Sequence, residues 1–287
     1  PKKSHPMDVA RTAVRIMGLE DTETKDNSPK ANLRKVMRIF AKTPVALAAF
    51  YRIRKGKKII KPKTNLSFSE NFFYMCFGKV PEKEIVKAFD VSLILYAEHS
   101  FNVSTFTART ITSSLSDIHG AITGAIASLK GPLHGGANEE VMHMMNKIKK
   151  PEKALKWINN ALDKKAVVMG FGHRVYKSGD SRVPTMREYF SKVAKVKKDK
   201  KFEKIYDIVE KVMIERKNIH PNVDYPTGPT YHLMGFDTDF FTPIFVISRI
   251  TGWSAHILEQ HAANKLIRPL ASYKGSSYRK VVPINQR

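Results

Sequence analysis

Apolar residues recur at intervals of three and four along most of this 287-residue chain. That spacing keeps them on one face of an α-helix. In residues 31–51 the apolar positions are Leu33, Val36, Met37, Phe40 and Ala41. Pro44 is expected to break or kink this helix, because proline lacks the backbone N–H that a helix interior needs. Similar patterns predict helices over 82–96, 151–162, 202–214, 240–250 and 254–264. The chain is therefore predicted to be mainly α-helical.

Strand signals are confined to two short β-branched pairs, Ile59-Ile60 and Val167-Val168. The weakly charged stretch 111–129 contains Asp117 and His119 among many small residues. It is too polar to span a membrane, and it predicts a closely packed helix in the protein interior.

Glycine and proline mark three turns, and each turn presents one ionisable side chain. The first, Gly-Pro-Leu-His-Gly-Gly-Ala-Asn at 131–138, places His134 just before a predicted helix. The positive end of that helix favours a neutral imidazole that donates a hydrogen bond. Taken alone, such a histidine is more simply explained as a buried structural residue.

The other two turns change that balance. Met-Gly-Phe-Gly-His-Arg-Val-Tyr-Lys at 169–177 presents His173, and Pro-Asn-Val-Asp-Tyr-Pro-Thr-Gly at 221–228 presents Asp224. Turns of this kind carry chemistry more often than packing. Two histidines and one carboxylate, each on its own turn, indicate an acid/base site directed at a carbonyl group.

These three motifs, in this order and at this separation, resemble those of the citrate synthase family, which includes the 2-methylcitrate synthases. Segments 5–13, 98–109 and 252–270 support the resemblance, which covers essentially the whole chain. It implies a two-domain helical fold, with a large domain from 1–136 and 240–287 and an inserted small domain at 137–239. Family members carry further residues before the His-Pro-Met-Asp motif, so the N-terminal part of the family fold is expected to be missing here.

The resemblance implies an acyltransferase that condenses propionyl-CoA or acetyl-CoA with oxaloacetate and then hydrolyses the thioester. The products would be 2-methylcitrate or citrate, in propionate metabolism or the tricarboxylic acid cycle, plus CoA. Asp224 matches the family base that removes the proton beside the thioester. His134 matches the donor to the enolate oxygen, and His173 matches the group that polarises the ketone.

The substrate-binding positions also follow from the resemblance. Oxaloacetate would bind His99, Arg182, Arg249 and Arg268. Arg268 would reach across from a second subunit, so a homodimer is expected. CoA would lie against Val168, Gly170 and Gly172, with Arg174 or Lys177 near its phosphates. No metal and no cofactor beyond the CoA thioester substrate is expected.

One departure bears on the acyl chain. The loop Ser-Gly-Asp-Ser-Arg-Val-Pro-Thr-Met at 178–186 lacks the Asp-Pro-Arg ending that is usual in citrate synthases. It is similar to a branch that includes 2-methylcitrate synthases, which favours propionyl-CoA. Because one methyl group in a pocket contributes only ~1–3 kcal/mol, acetyl-CoA stays open as a substrate.

Composition adds an unusual charge. Hydrophobic residues at 42% and charged residues at 26% are ordinary for a soluble protein. The single cysteine, Cys76, excludes an internal disulfide and a cysteine-rich zinc site. The formal charge of +24 comes largely from lysine runs, as at 55–63 and 192–204. It raises the alternative of a basic nucleic-acid-binding or assembly protein on a citrate synthase-like scaffold.

We favour solvated lysines that attract anionic substrates, with no specific nucleic-acid partner and no membrane, since no nucleic-acid-binding module accompanies them. A CoA-dependent lyase is a third interpretation, disfavoured because the parts needed for energy-coupled cleavage are absent from the sequence. The location is predicted to be cytoplasmic in a prokaryote or the mitochondrial matrix in a eukaryote.

Overall fold

The computed structural model describes residues 1–176 and 178–287. Its helices are α1 (Pro6–Glu20), α2 (Pro29–Arg54), α3 (Phe68–Phe77), α4 (Lys83–Tyr96), α5 (Val103–Ser113), α6 (Ile118–Leu129), α7 (Ala137–Ile148), α8 (Pro151–Asp163), α9 (Val183–Val196), α10 (Lys201–Lys217), α11 (Asp224–Leu233) and α12 (Phe241–Ala262). Short 3₁₀ turns lie at Thr238–Phe240 and Ile284–Gln286. The prediction of a mainly α fold is confirmed.

Short polar side chains start several of these helices. Ser67 and Glu70 form a reciprocal capping box at the start of α3, and Asn102 and Asp117 accept backbone N–H bonds at the starts of α5 and α6. These bonds satisfy N–H groups that have no partner within the helix. The caps fix where the chain enters each helix, including the turn just before α5 that carries His99.

The structure corrects three predicted boundaries. The ranges 240–250 and 254–264 form one continuous helix, α12, which passes through Gly252. A Cβ at Gly252 would lie 2.4 Å from the Ala97 carbonyl oxygen, so glycine permits a close approach there and does not end the helix. α2 likewise continues through Pro44. Within 111–129, only the part from Ile118 belongs to α6, because Asp117 caps a new helix.

The two predicted strands are wrong. Residues 59–60 and 167–168 lie in irregular segments. The isolated bridge in the described chain joins Phe171 to Pro221 instead. Among residues 1–176 and 178–287 these two-residue β-branched runs find no partner strand, so their intrinsic preference is overridden by the surrounding helices.

α12 lies at the centre of the packing. Every residue from Phe241 to Ile250 is buried, and the helix contacts α1, α2, α4, α5, α6 and α7. α11 packs on α7 and α9, and α9 also packs on α4. The end of α4, the start of α11, the first half of α12 and the turns before α5 and α7 meet in one region. The division into a large and a small domain stays a prediction. Among the described residues, none of the helices is both long enough and apolar enough to cross a bilayer.

Candidate active site

One cavity of about 540 Å³ lies where these helices and turns meet. It is lined by six of the predicted catalytic and oxaloacetate-binding residues: His99, His134, His173, Arg182, Asp224 and Arg249. Gly172 and Arg174, predicted to contact CoA, also line it. Three segments that are far apart in sequence thus face a single space of the size of a small-molecule site.

The turn that carries His134 needs its glycine. The Gly135 N–H donates to the Leu129 carbonyl at 2.9 Å, and a Cβ on Gly135 would lie 2.5 Å from that same oxygen. The His134 ring places Nε2 3.2 Å from the Ser104 backbone N and 2.8 Å from Ser104 Oγ. Burial, followed by the positive Arg249 nearby, lowers the pKa of His134 to about 4. The imidazole is therefore neutral at physiological pH.

His173 has a defined tautomer. Its Nδ1 accepts hydrogen bonds from the backbone N–H groups of Val175 at 3.0 Å and Tyr176 at 3.2 Å. In the neutral ring, the hydrogen is consequently on Nε2, which is a donor. The His99 ring lies edge-on at 5.0 Å between centroids. The pKa of His99 is lowered to about 4 by burial and by the positive charge of Arg182.

Asp224 is the first residue of α11, not part of an open turn as predicted. Burial raises the pKa of its carboxyl group to about 6, against the opposing effects of Tyr96 and Arg182. The Tyr96 hydroxyl donates to Asp224 Oδ1 at 2.5 Å. A carboxylate with this pKa is largely ionised at neutral pH yet basic enough to accept a proton.

Asp180 connects the Arg182 loop to the start of α11. Its carboxylate accepts from the Arg182 guanidinium at 2.9 and 2.7 Å and from the Val223 backbone N at 3.0 Å. The Asp180 side chain is fully buried. These bonds orient Arg182 and hold the residue before Asp224 in place. Asp180 and Tyr96 were not predicted as site residues, although they lie two residues before Arg182 and three before His99.

Arg249 is a buried cation on α12. Its Nε donates to the Tyr96 carbonyl at 2.6 Å, and its guanidinium lies 4.6 Å from the centre of the Phe245 ring. Burial and the charge of Arg182 lower its pKa to about 10. Its Nη1 has no hydrogen-bond partner among the described residues. A buried guanidinium with an unused donor beside a cavity fits a carboxylate ligand.

The remaining predicted positions lie elsewhere. Val168 lines a second cavity of about 350 Å³ with apolar neighbours and two lysines, Lys165 and Lys217. Gly170 has φ +85, and a Cβ there would lie 2.6 Å from the Val141 side chain, so it permits close packing. Arg268 lies in the exposed chain after α12 and lines neither cavity. Lys177 lies outside the described residues.

This chain is similar in sequence to known proteins. Residues 1–270 match the family model described as citrate synthase, C-terminal domain. The chain is 55% identical to 2-methylcitrate synthase 2 of Corynebacterium glutamicum, over 100% of this chain and 76% of that protein. It is 52% identical to citrate synthase of Mycolicibacterium smegmatis, over 98% of this chain and 75% of that protein.

Solved structures show the same fold. Citrate synthase from Pyrobaculum aerophilum superimposes with a TM-score of 0.89 at 33% identity, over 100% of this chain and 75% of that one. A ternary complex of citrate synthase from the archaeon Thermoplasma acidophilum with carboxymethyl coenzyme A and oxaloacetate gives a TM-score of 0.87 at 33% identity, over 100% and 77%. By family model, sequence identity and fold, this chain belongs to the citrate synthase family.

Proposed function

We propose that this protein condenses an acyl-CoA with oxaloacetate and hydrolyses the thioester, releasing CoA and 2-methylcitrate or citrate. One observation carries the proposal. A carboxylate with a pKa raised to about 6 and two imidazoles whose backbone contacts orient them line one cavity. A site of this kind contains a base and two hydrogen-bond donors for carbonyl chemistry.

In the proposed reaction, Asp224 removes a proton from the carbon beside the thioester carbonyl. The electron pair of that C–H bond forms the enolate, whose oxygen accepts a hydrogen bond from His134. His173 donates from Nε2 to the ketone oxygen of oxaloacetate. The enolate carbon then bonds to the ketone carbon while the C=O π electrons move to the ketone oxygen, which takes the proton from His173 Nε2. Water adds to the thioester carbonyl and the C–S bond breaks, so that a carboxylate forms and CoA leaves as the thiol. The proton held by Asp224 returns through solvent to restore the starting protonation states, with one proton released overall.

The anionic substrate needs positive partners. Arg182 and Arg249 line the cavity, and neither is exposed to bulk solvent to any large extent. Guanidinium groups bind carboxylates bidentately, which supports oxaloacetate at these two residues with His99 beside them. We propose that Arg268 completes this site from the second subunit of a homodimer. Within one chain, Arg268 does not line the cavity that Arg182 and Arg249 line.

The second cavity supports a place for CoA. Its walls are largely apolar around Val168 and Phe171, and Lys165 and Lys217 also line it. An apolar cleft with cations at its rim suits an adenine ring and phosphates. The loop that contains Gly170 and Gly172 connects it to the first cavity, so a CoA chain could extend from one to the other. We infer that the thioester substrate is the only coenzyme required.

The relatives do not distinguish a two-carbon from a three-carbon acyl chain, because those named for citrate and for 2-methylcitrate are about equally similar to this chain. We propose that propionyl-CoA is preferred, on the basis of the 178–186 loop. The relatives named above come from bacteria and archaea, which supports a cytoplasmic location.

The test is CoA release in the presence of oxaloacetate, with specificity constants measured for propionyl-CoA and acetyl-CoA. His134→Ala is expected to lower kcat by a factor of about 10²–10³, because it removes one oriented donor to the enolate oxygen. Absence of oxaloacetate-dependent CoA release from the folded wild-type dimer would refute the proposal. If the same preparation bound nucleic acid with salt-sensitive affinity, the basic binding protein would become the better interpretation.

A further inference from the structure

Glu98 crosses α12 between Arg249 and His256. These two residues and Gly252 stand at positions i, i+7 and i+3 of α12, so all three lie along one face of the helix. A Cβ on Gly252 would lie 3.1 Å from the Glu98 Cα and 3.2 Å from its Cγ. The absence of a side chain at Gly252 therefore lets Glu98 lie directly on the helix, with Arg249 to one side and His256 to the other.

The Glu98 carboxylate bonds His256. Its Oε1 lies 3.0 Å from His256 Nε2, and the Ser100 backbone N–H also donates to it. On the other side of the imidazole, Arg109 Nη1 lies 2.9 Å from His256 Nδ1. A guanidinium only donates and an ionised carboxylate only accepts, so His256 accepts at Nδ1 and donates from Nε2. Arg109, His256 and Glu98 therefore form one hydrogen-bonded chain that ends on the carboxylate.

The far end of this chain is anchored, whereas Glu98 is not. Arg109 Nη1 also lies 3.1 Å from Glu259 Oε2, and the Arg109 guanidinium lies 5.1 Å from the centre of the Phe101 ring. The side chains of Arg109 and His256 are only 16% and 12% exposed. That of Glu98 is 51% exposed, so hydrogen bonds and not packing determine where its carboxylate lies.

Arg249 is the cation on the other side of Glu98. Burial and the Arg182 charge lower the pKa of Arg249, and the Glu98 charge acts in the opposite direction, so the two side chains attract each other. The carboxylate nevertheless bonds His256, and the described residues contain no ion pair between Glu98 and Arg249. Arg249 Nη1 has no hydrogen-bond partner among them either. This guanidinium is the one that the proposed function assigns to oxaloacetate.

We propose that His256 is a positioning residue that, anchored by Arg109, holds the Glu98 carboxylate away from Arg249. A carboxylate of the same chain competes with the substrate at a high effective concentration, because it cannot diffuse away. It would occupy the donors that a substrate carboxylate needs. Holding Glu98 on His256 keeps Arg249 free before oxaloacetate arrives. The inference rests on the proposed function, in which Arg249 binds oxaloacetate.

The test uses the full chain and two measurements. Isothermal titration calorimetry gives Kd for oxaloacetate without CoA, and CoA release at saturating propionyl-CoA gives KM for oxaloacetate and kcat. His256→Leu removes the donor to Glu98. Both Kd and KM should then rise about tenfold, because Glu98 pairs with Arg249 and must be displaced, while kcat is unchanged. His256→Gln keeps an N–H donor and an acceptor, so it should retain the wild-type constants.

A second substitution, Glu98→Gln, separates competition from simple support of the turn before α5. A neutral amide cannot form an ion pair with Arg249. In the His256→Leu background, Glu98→Gln should therefore return Kd and KM to near their wild-type values. If Glu98 only braced the turn that carries His99, the double variant would bind oxaloacetate no better than His256→Leu.

Glu259→Gln is the matched control, because it alters the second carboxylate on Arg109 and leaves the bond to Glu98 intact; it should change neither constant. Unchanged constants in His256→Leu, or no recovery in the double variant, would overturn the proposal. If His256→Leu does not fold, His256→Asn, whose side chain is too short to reach Glu98, must raise both constants, and wild-type constants there would also overturn it. A wild type that binds no oxaloacetate would refute the proposed function and this inference with it, whereas a wild type that binds and turns over oxaloacetate leaves the variants to decide this inference alone.

Discussion

Tyr96→Phe is expected to shift the pH dependence of the reaction through Asp224. The substitution keeps the ring that packs on Phe245 at 4.2 Å between centroids. It removes the hydroxyl that donates to Asp224 Oδ1 at 2.5 Å. That bond favours the ionised carboxylate, so it lowers a pKa that burial raises to about 6. Without it, the pKa of Asp224 must rise.

The size of the shift follows from the strength of the bond. A hydrogen bond to a charged acceptor contributes about 1.5–3 kcal/mol. Since one pKa unit corresponds to about 1.4 kcal/mol, the pKa of Asp224 should rise by roughly one to two units. Asp224 acts as a base only when ionised, so activity is lost as the pH falls through its pKa. At pH 7 the ionised fraction would then fall about two- to tenfold.

The assay is kcat/KM for the acyl-CoA as a function of pH. In the wild type the acid limb is expected near pH 6, because the pKa of Asp224 is raised to about 6. In Tyr96→Phe it should move to higher pH, and the two profiles should converge at alkaline pH. Tyr225→Phe is the matched control, because Tyr225 is also buried beside Asp224 but donates to the Tyr206 carbonyl. An acid limb that stays at the wild-type position in Tyr96→Phe would refute the assignment of Asp224 as the base.

Three further substitutions test other parts of the site. Asp180→Asn should raise KM for oxaloacetate at least tenfold, because Arg182 loses its charged partner. It should also move the acid limb to lower pH, since the Asp180 charge raises the pKa of Asp224. An acid limb that moves to higher pH would contradict this. Gly135→Ala should lower the free energy of unfolding by about 1–3 kcal/mol, measured by denaturant titration, because its Cβ would lie 2.5 Å from a carbonyl oxygen; wild-type stability would show that the turn adapts. Lys217→Ala should raise KM for the acyl-CoA about two- to tenfold in low salt without changing KM for oxaloacetate. Lys211→Ala, on the same helix but outside the cavity, should leave both unchanged, and equal effects of the two variants would place CoA elsewhere.

The site residues that could be predicted from the sequence are those that lie in a local sequence motif. His134, His173 and Asp224 each lie in a glycine- or proline-containing segment with a recognisable motif, and the structure places all three around one cavity. The helical class was equally accessible, because apolar spacing reports a buried face without knowledge of its partner. The continuity of α12 was harder to predict, since Gly252 resembles a helix end and the buried part, Phe241 to Ile250, shows no polar face.

The partners of those residues could not be predicted from local pattern. Tyr96 lies 128 residues from Asp224, and Trp253 lies 149 residues from Ser104, yet each pair shares a hydrogen bond. Neither tyrosine nor tryptophan in an apolar run differs from ordinary core until the fold places a polar atom beside it. Arg268 stays a prediction for a different reason, because its proposed site requires a second chain.

Removal from water is the common cause of the electrostatics of this site. It disfavours whichever form of a group is charged, so it lowers the pKa of His99 and His134 and raises that of Asp224. The histidines are thereby kept neutral as donors, and the carboxylate gains basicity. All three groups line the same cavity. A substitution that admitted water, such as Phe245→Ala, should therefore move all three pKa values towards their ordinary values together, whereas Tyr96→Phe acts chiefly on Asp224.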